Sequence, residues 1–229
     1  MTPISSIKFN YKTTLELEHE LGFPSVAVVG IDEVGRGCIA GPVYAGAVLL
    51  PPLASLADAP PFMAGVTDSK LVSEENREDL APLLQGWVRA YGIGIATVEE
   101  IERLNILHAA MLAMRRAWEA LVASSGVVGC VGLVDGNRAP VLPGAARVVT
   151  AVKGDLRSLT IASASILAKT ARDGYMREQD GFAKHKGYGT PEHLRALSTL
   201  GCTPLHRRAF APVKAVLGMT KEMNAGAAF

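Results

Sequence analysis

The stretch Val26–Val43, VAVVGIDEVGRGCIAGPV, constrains this chain more than any other. An apolar run from Val26 to Ile31 leads straight into two adjacent carboxylates, Asp32 and Glu33. A loop carrying Gly35, Arg36, Gly37 and Gly41 follows at once. The β-branched residues and the flanking Pro24 and Gly35 predict a buried strand over Val26–Asp32. Burying an unpaired carboxylate is very costly. Two of them at the end of a core strand therefore call for a basic partner or a divalent cation. Neighbouring glycines let the backbone approach whatever binds. The loop is not of the nucleotide-binding kind. Gly30-x4-Gly35 is followed by Arg36-Gly37 where a Walker A motif has Lys-Ser/Thr, and Gly35-x-Gly37-x3-Gly41 misses the dinucleotide spacing.

The rest of the chain supplies partners for that strand. Val43–Leu50 reads as a second strand closed by Pro51-Pro52, Ala90–Thr97 as a third, Gly129–Val134 as a fourth and Ala146–Val152 as a fifth. Ser73 is the expected N-cap of a helix with Glu74 and Glu75 in its first turn. Thr97 and Glu100 form a capping-box signature. Behind them Ile101, Leu104, Leu107, Met111, Met114, Trp118 and Leu121 recur at helical spacing to about Ala123, a core stripe. Residues 157–178 are helical and rich in small side chains, which predicts close packing on the sheet. Thr190, Pro191 and Gly201 bound a further helix. Leu15–Leu21 reads as a short helix and the Ala- and Pro-rich Pro51–Gly65 as a loop. The layout is α/β with a mixed five-stranded sheet flanked by helices. The first three strands can pair antiparallel, and the later ones, needing helical crossovers, run parallel. The expected organisation is a lead-in over 1–22, a catalytic core over 23–178 and a helical segment over 179–229 that completes a substrate cleft, all within one structural domain.

Three strand ends carry acids: Asp32 with Glu33, Asp135 and Asp155. Ligands of open α/β sheets bind beyond the carboxyl ends of the strands. If the first, fourth and fifth strands are parallel neighbours, the four acids converge. Such a set, with no His or Cys nearby, suits Mg²⁺ or Mn²⁺ rather than zinc. It can hold two ions for in-line phosphodiester chemistry. Any one strand-end acid alone reads equally as a solvated cap. Asp173 is too far along its helix from Asp155, roughly 27 Å, and reads as a salt-bridge or cap residue. Asp68, beside Lys70, is kept outside the metal shell.

Charge is unevenly spread: residues 1–135 hold nine Lys and Arg against sixteen Asp and Glu, residues 136–229 fourteen against six. An acidic cation site beside a basic surface for a polyanion would produce that asymmetry, and so would unevenly solvated faces. The three cysteines, Cys38, Cys130 and Cys202, form no CxxC pair, as expected of reduced thiols. No apolar run is long enough to span a membrane, and the N-terminus lacks a signal-peptide layout, so the expected location is cytoplasmic.

Gly30-Ile-Asp-Glu-Val-Gly-Arg-Gly37, Ala40-Gly-Pro-Val43, Asp68-Ser-Lys70, Val134-Asp-Gly-Asn137, Lys153-Gly-Asp155, Ala164-Ser-Ile-Leu-Ala-Lys169 and His185-Lys-Gly-Tyr-Gly-Thr190, in this order, resemble bacterial ribonuclease HII, the type 2 ribonuclease H. The resemblance spans residues 26 to about 214. It implies a ribonuclease H-like fold with a helical C-terminal extension, and Asp32, Glu33, Asp135 and Asp155 as the catalytic, metal-binding set with Mg²⁺ or Mn²⁺ in a two-metal site. The implied activity is hydrolysis of the RNA strand of RNA–DNA hybrids and incision 5′ to ribonucleotides embedded in duplex DNA. The products carry 3′-hydroxyl and 5′-phosphate ends, as needed for ribonucleotide repair and primer removal. It further implies that Gly35, Arg36, Gly37 and Tyr188 read the ribonucleotide and its 2′-hydroxyl. Lys169, Lys184, Lys186, Arg207 and Arg208 are expected phosphate contacts, each open to a solvated-face reading. The sister type, ribonuclease HIII, differs at the position of Arg36 and carries an added N-terminal domain. No oligomer interface or clamp-binding peptide is evident, so a monomer with a flexible tail, GMTKEMNAGAAF, is expected. The alternatives are a strand transferase on the same fold, which would need a further recognition domain, and a non-catalytic hybrid-binding module, which would lack one of the four acids.

Overall fold

The computed structural model describes residues 13–226, with side chains as far as residue 218. The expectations for residues 1–12 and for the last three residues of the tail lie outside the described residues. Five strands form one sheet: β1 (Val28–Val34), β2 (Val43–Leu49), β3 (Ala90–Ala96), β4 (Val131–Asp135) and β5 (Arg147–Ala151), in the order β3-β2-β1-β4-β5. β1–β2 and β2–β3 pair antiparallel; β1–β4 and β4–β5 pair parallel. Every strand falls within two residues of its expected limits, and one of these shifts matters for the site. β1 continues past both acids to Val34, pairing Asp32 with Gly46 and Glu33 with Ala45 on its antiparallel side. Its parallel ladder with β4 ends at Ile31–Val134.

The inner strands β1, β2 and β4 are buried on both faces, whereas the edge strands β3 and β5 are partly exposed, which explains why β1 reads as a continuous apolar run rather than an alternating one. Val29, Ile31, Ala45 and Ala47 pack with Met114, Trp118 and Leu121 of α3 (Val98–Ser125). Val28, Val48 and Leu133 pack with Ile161, Ala164 and Leu167 of α4 (Leu159–Arg177), which α2 (Glu74–Trp87) covers. The small residues of α4 let it lie unusually close. A Cβ at Gly30 would stand 2.3 Å from the Thr160 carbonyl carbon, and one at Gly46 2.3 Å from the Ala164 oxygen.

Four details depart from the sequence expectation. α3 is interrupted at Asn105, whose φ of 67° breaks the helix. Its side-chain oxygen accepts from the Leu107 and His108 amides and restarts it, so the buried face shifts to Ala109, Ala110 and Ala113. The parallel β4–β5 connection is an irregular loop over residues 136–146 rather than a helix. It is held to α3 by Leu142 and by the Trp118 indole donating to the Pro143 oxygen at 2.9 Å. Pro51–Gly65 contains two 3-10 turns and buries Leu53 and Met63. The backbone of the expected flexible tail continues α6 (Ala211–Gly226) as far as Gly226.

α1 (Glu16–Glu20) lies inside the lead-in and has a structural task. Glu18 is fully buried and accepts from Ser158 Oγ, Thr160 N and Thr160 Oγ1 at 2.6–2.9 Å. A carboxylate on these donors satisfies the orphan Thr160 amide in the first turn of α4, orients the Ser158 hydroxyl that caps the Ile161 amide, and complements the helix dipole. Among the described residues, no helix is long and apolar enough to cross a membrane.

Candidate active site

The sheet's register brings the acids together. Because Ile31 pairs with Val134 and Asp135 with Ala151, Asp32 and Asp135 stand side by side at the carboxyl edge, one residue beyond the β1–β4 ladder. Both have the parity of the residues packed against α4. A 3-10 turn over Gly154–Leu156 follows β5 and carries Asp155, and the Gly154 amide donates to Asp135 Oδ1 at 2.7 Å. Asp32 and Asp155 are only 4% and 6% exposed. Burial first, then the charges of Glu33, Asp135 and Asp155, hold the Asp32 carboxyl well above the usual range, while a hydrogen bond from Ser165 of α4 opposes this. Burial, Asp135 and Asp68 raise Asp155 to about 6. Burial also raises Glu33, against the pull of Arg36. These are mutually repelling, desolvated acids.

Asp68 and Lys70 stand closer to this group than the sequence reading placed them. Lys70 Nζ lies 3.8 Å from both Asp68 Oδ1 and Asp155 Oδ2. Burial alone would lower the Lys70 ammonium, yet Asp68, Asp155, Asp32 and Asp135 together raise its pKa. The hydroxyls of Ser69 and Ser165 are hydrogen-bonded at 2.9 Å, tying the Asp-Ser-Lys turn to α4. The tripeptide Asp68-Ser69-Lys70 is visible in the sequence, but only the fold shows Lys70 facing the acids. Asp173 sits with Arg77 at 3.2 Å and Lys169 at 2.7 Å, a salt bridge rather than a cap.

The glycine loop is braced from behind. Gly35 has φ +86°, and a Cβ there would stand 2.0 Å from Arg172 Nε. For Gly37, nothing among the described residues lies within 4 Å of where a Cβ would stand. Arg36 is half exposed, 3.4 Å from Glu33. The fully buried Arg172 donates to the oxygens of Ala40, Pro42 and Lys186. The amides of Ile39 and Ala40 donate to the Gly187 oxygen. Tyr188 is thereby set next to the loop, partly buried, with Lys169 Nζ 4.9 Å and the Arg172 guanidinium 5.7 Å from its ring. Burial pushes its phenol up, and its hydroxyl faces the Cys38 thiol.

Three of the expected phosphate contacts do not survive the structure. Arg207 has no exposed surface and donates to the oxygens of Gly35, Arg36, Gly41 and Pro42 at 2.8–3.3 Å. It props the loop and does not face solvent. Lys169 and Lys186 are 8% exposed. Lys169 is paired with Asp173, and Lys186 Nζ bonds Glu74 at 3.1 Å and the Ala183 oxygen. Only Lys184, loosely paired with Glu192 at 3.4 Å, and Arg208 are exposed. Charge in a sequence does not reveal whether a long side chain is turned inward to satisfy carbonyls.

Acids gathered at the carboxyl edge of a mixed five-stranded sheet, beside a glycine loop, define a nuclease of the ribonuclease H-like class. The model of the Ribonuclease HII family matches residues 29–213, and the chain belongs to that family. It is 47% identical over 204 residues to Ribonuclease HII of Cupriavidus necator, covering 85% of this chain and 82% of that protein. It is 50% identical over 205 residues to Ribonuclease HII of Paramagnetospirillum magneticum, covering 87% and 96%. The structure of Bst-RNase HIII in complex with Mn²⁺ superposes with a TM-score of 0.67 at 20% identity, covering 95% of this chain and 77% of that one, a likeness of fold.

The donor set fits a hard divalent cation, the metal dependence of the family. Its members are oxygen ligands only, and burial and crowding leave them short of positive charge. Among the described residues, no three acidic, His or Cys side chains close tightly enough on one point to hold an ion as they stand.

Proposed function

We propose that this ribonuclease H endonuclease of RNA–DNA hybrids, acting as a cytoplasmic monomer, also incises duplex DNA on the 5′ side of an embedded ribonucleotide. The products would carry 3′-hydroxyl and 5′-phosphate ends. One observation carries the reading: Asp32 and Glu33 near the end of β1, Asp135 at the end of β4 and Asp155 just beyond β5 lie at one carboxyl edge of the sheet beside the Gly35–Gly37 loop, with Tyr188 held against the same loop. Asp32, Glu33, Asp135 and Asp155 would hold Mg²⁺ or Mn²⁺ as a pair of ions, which when bound supply an activated water and charge stabilisation at the leaving oxygen. The chain's own residues then position the substrate. Gly37, with open space at its Cβ position, lets the backbone approach the sugar. Arg36 extends an exposed guanidinium that can donate to a phosphate. The Tyr188 ring offers a stacking face for the ribose, whose 2′-hydroxyl distinguishes RNA from DNA. Lys184 and Arg208 present exposed charge to the backbone, and the helical segment that follows residue 178 completes the cleft. A labelled duplex with one ribonucleotide, incubated with and without Mg²⁺ or Mn²⁺, tests this. A single metal-dependent cut 5′ to the ribonucleotide is expected, and binding without cutting would overturn it.

A further inference from the structure

Three histidines and Phe182 fill the space behind Tyr188. His185 and His193 stack at 3.8 Å, and the Phe182 ring lies within 5.6 Å of all three imidazoles. His193 and His206 are 2% and 4% exposed and meet Nε2 to Nε2 at 3.0 Å. Two identical nitrogens can bond only if one carries a proton and the other does not. Both ends of the pair determine which. The Thr203 amide can only donate, and it points at His206 Nδ1 at 2.9 Å, so that nitrogen is bare and the ring's proton sits on Nε2. The Tyr188 carbonyl can only accept, and it lies 2.8 Å from His193 Nδ1, so that nitrogen carries the proton and His193 Nε2 is bare. The two assignments are independent and agree. One directed chain results: Thr203 N–H to His206, His206 Nε2–H to His193, and His193 Nδ1–H to the Tyr188 oxygen.

The chain links two parts of the proposed reader. His206 bridges Ala40, and the neighbouring Arg207 amide donates to the Ile39 oxygen, so the sending end rests on the glycine loop. The receiving end holds Tyr188, whose amide is bonded in turn to the His185 oxygen. Protonating either ring would set two N–H groups against each other. Both rings resist this, because burial lowers His193, and burial with His193 nearby lowers His206 to about 4.

We propose that His193 and His206 form a proton-ordered relay that fixes Tyr188 relative to the Gly35–Gly37 loop, making them positioning residues for ribonucleotide recognition. This rests on Tyr188 as a reader of the ribose. Two measurements test it. In the unsubstituted protein at pH 7.5, nitrogen-15 NMR of the imidazoles should show opposite neutral tautomers, His206 protonated at Nε2 and His193 at Nδ1. The same tautomer on both rings, or a charged ring on either, overturns the relay without any variant needing to fold. In incision assays, His193→Phe should lower the ratio of single-ribonucleotide to long-hybrid cleavage by about tenfold, the worth of one lost hydrogen bond. His193→Asn, whose amide nitrogen can stand where Nδ1 stands, should restore most of that ratio. A merely structural role would move both substrates together and would not be rescued. Tyr188→Ala separates the layers. If it changes the ratio and His193→Phe does not, the relay fails alone; if Tyr188→Ala leaves the ratio unchanged, the reader fails and the relay falls with it.

Discussion

Replacing Arg207 by Met should unseat the glycine loop, and the structure gives the size of the effect. The guanidinium makes three short bonds, to Gly41, Gly35 and Arg36 oxygens at 2.8, 2.8 and 3.0 Å, and a longer one to Pro42 at 3.3 Å. A hydrogen bond from a charged donor is worth about 1.5–3 kcal/mol, so the three short ones give about 5–9 kcal/mol in total. Against this stands the desolvated charge: burial lowers the Arg207 pKa from 12.5 to about 10, which corresponds to about 3 kcal/mol. Removing the side chain should therefore destabilise the protein by about 2–6 kcal/mol, because the carbonyls stay buried without donors. At about 2–4 °C per kcal/mol for a chain of this size, the melting temperature should fall by about 5–20 °C. Urea unfolding of the wild type, Arg207→Met and Arg207→Lys measures it. Lys keeps the charge but cannot fork to several carbonyls and should recover only part of the loss. A loss below about 1 kcal/mol in Arg207→Met, or full recovery in Arg207→Lys, would refute the bracing role.

Three further outcomes are expected. Asp155→Asn should stabilise the protein in chelator at pH 7.5. The carboxyl's pKa rises from 3.8 to about 6 on folding, so the wild type loses stability as pH climbs between those values and the Asn variant does not. The full difference is about 3 kcal/mol, reduced by solvent screening to about 1–2 kcal/mol, and it should vanish near pH 3.5; thermal melts that fail to diverge between the two pH values would contradict it. Gly37→Ala should leave stability within about 0.5 kcal/mol of wild type, since its Cβ meets nothing, yet cut ribonucleotide incision at least about tenfold. Glu18→Ala, which strands the donors of Ser158 and Thr160, should cost about 2–4 kcal/mol in urea unfolding. Glu18→Gln, still an acceptor there, should lose less.

The sheet was legible because its signals are local. Apolar runs, turn residues and caps lie within a few positions of the strands and helices they define, and parity within β1 and β4 places Asp32 and Asp135 together. Side-chain destinations were not legible in the same way. Arg207 lies 171 residues from the Arg36 oxygen it holds, and nothing in its neighbourhood distinguishes it from the exposed Arg208. The helix break at Asn105 depends on one side chain satisfying two amides, which periodicity cannot register. Lys70 gives no sequence signal of its own because a Lys beside an Asp is locally self-sufficient, whereas the fold turns it toward acids from three other segments. The pairing of His193 with His206 joins the start of α5 (Pro191–Leu200) to a distant turn and leaves no spacing pattern at all.

Incision of a duplex carrying one ribonucleotide, by the wild type and by Asp32→Asn, tests the catalytic site most directly. With Mg²⁺ or Mn²⁺ the wild type should cut once, 5′ to the ribonucleotide, and chelator should stop it. Asp32→Asn should bind the same duplex with similar affinity and leave it uncut. Undiminished cutting by Asp32→Asn, or wild-type cutting that persists in chelator, would show that the acids at the end of β1 are not the catalytic metal site.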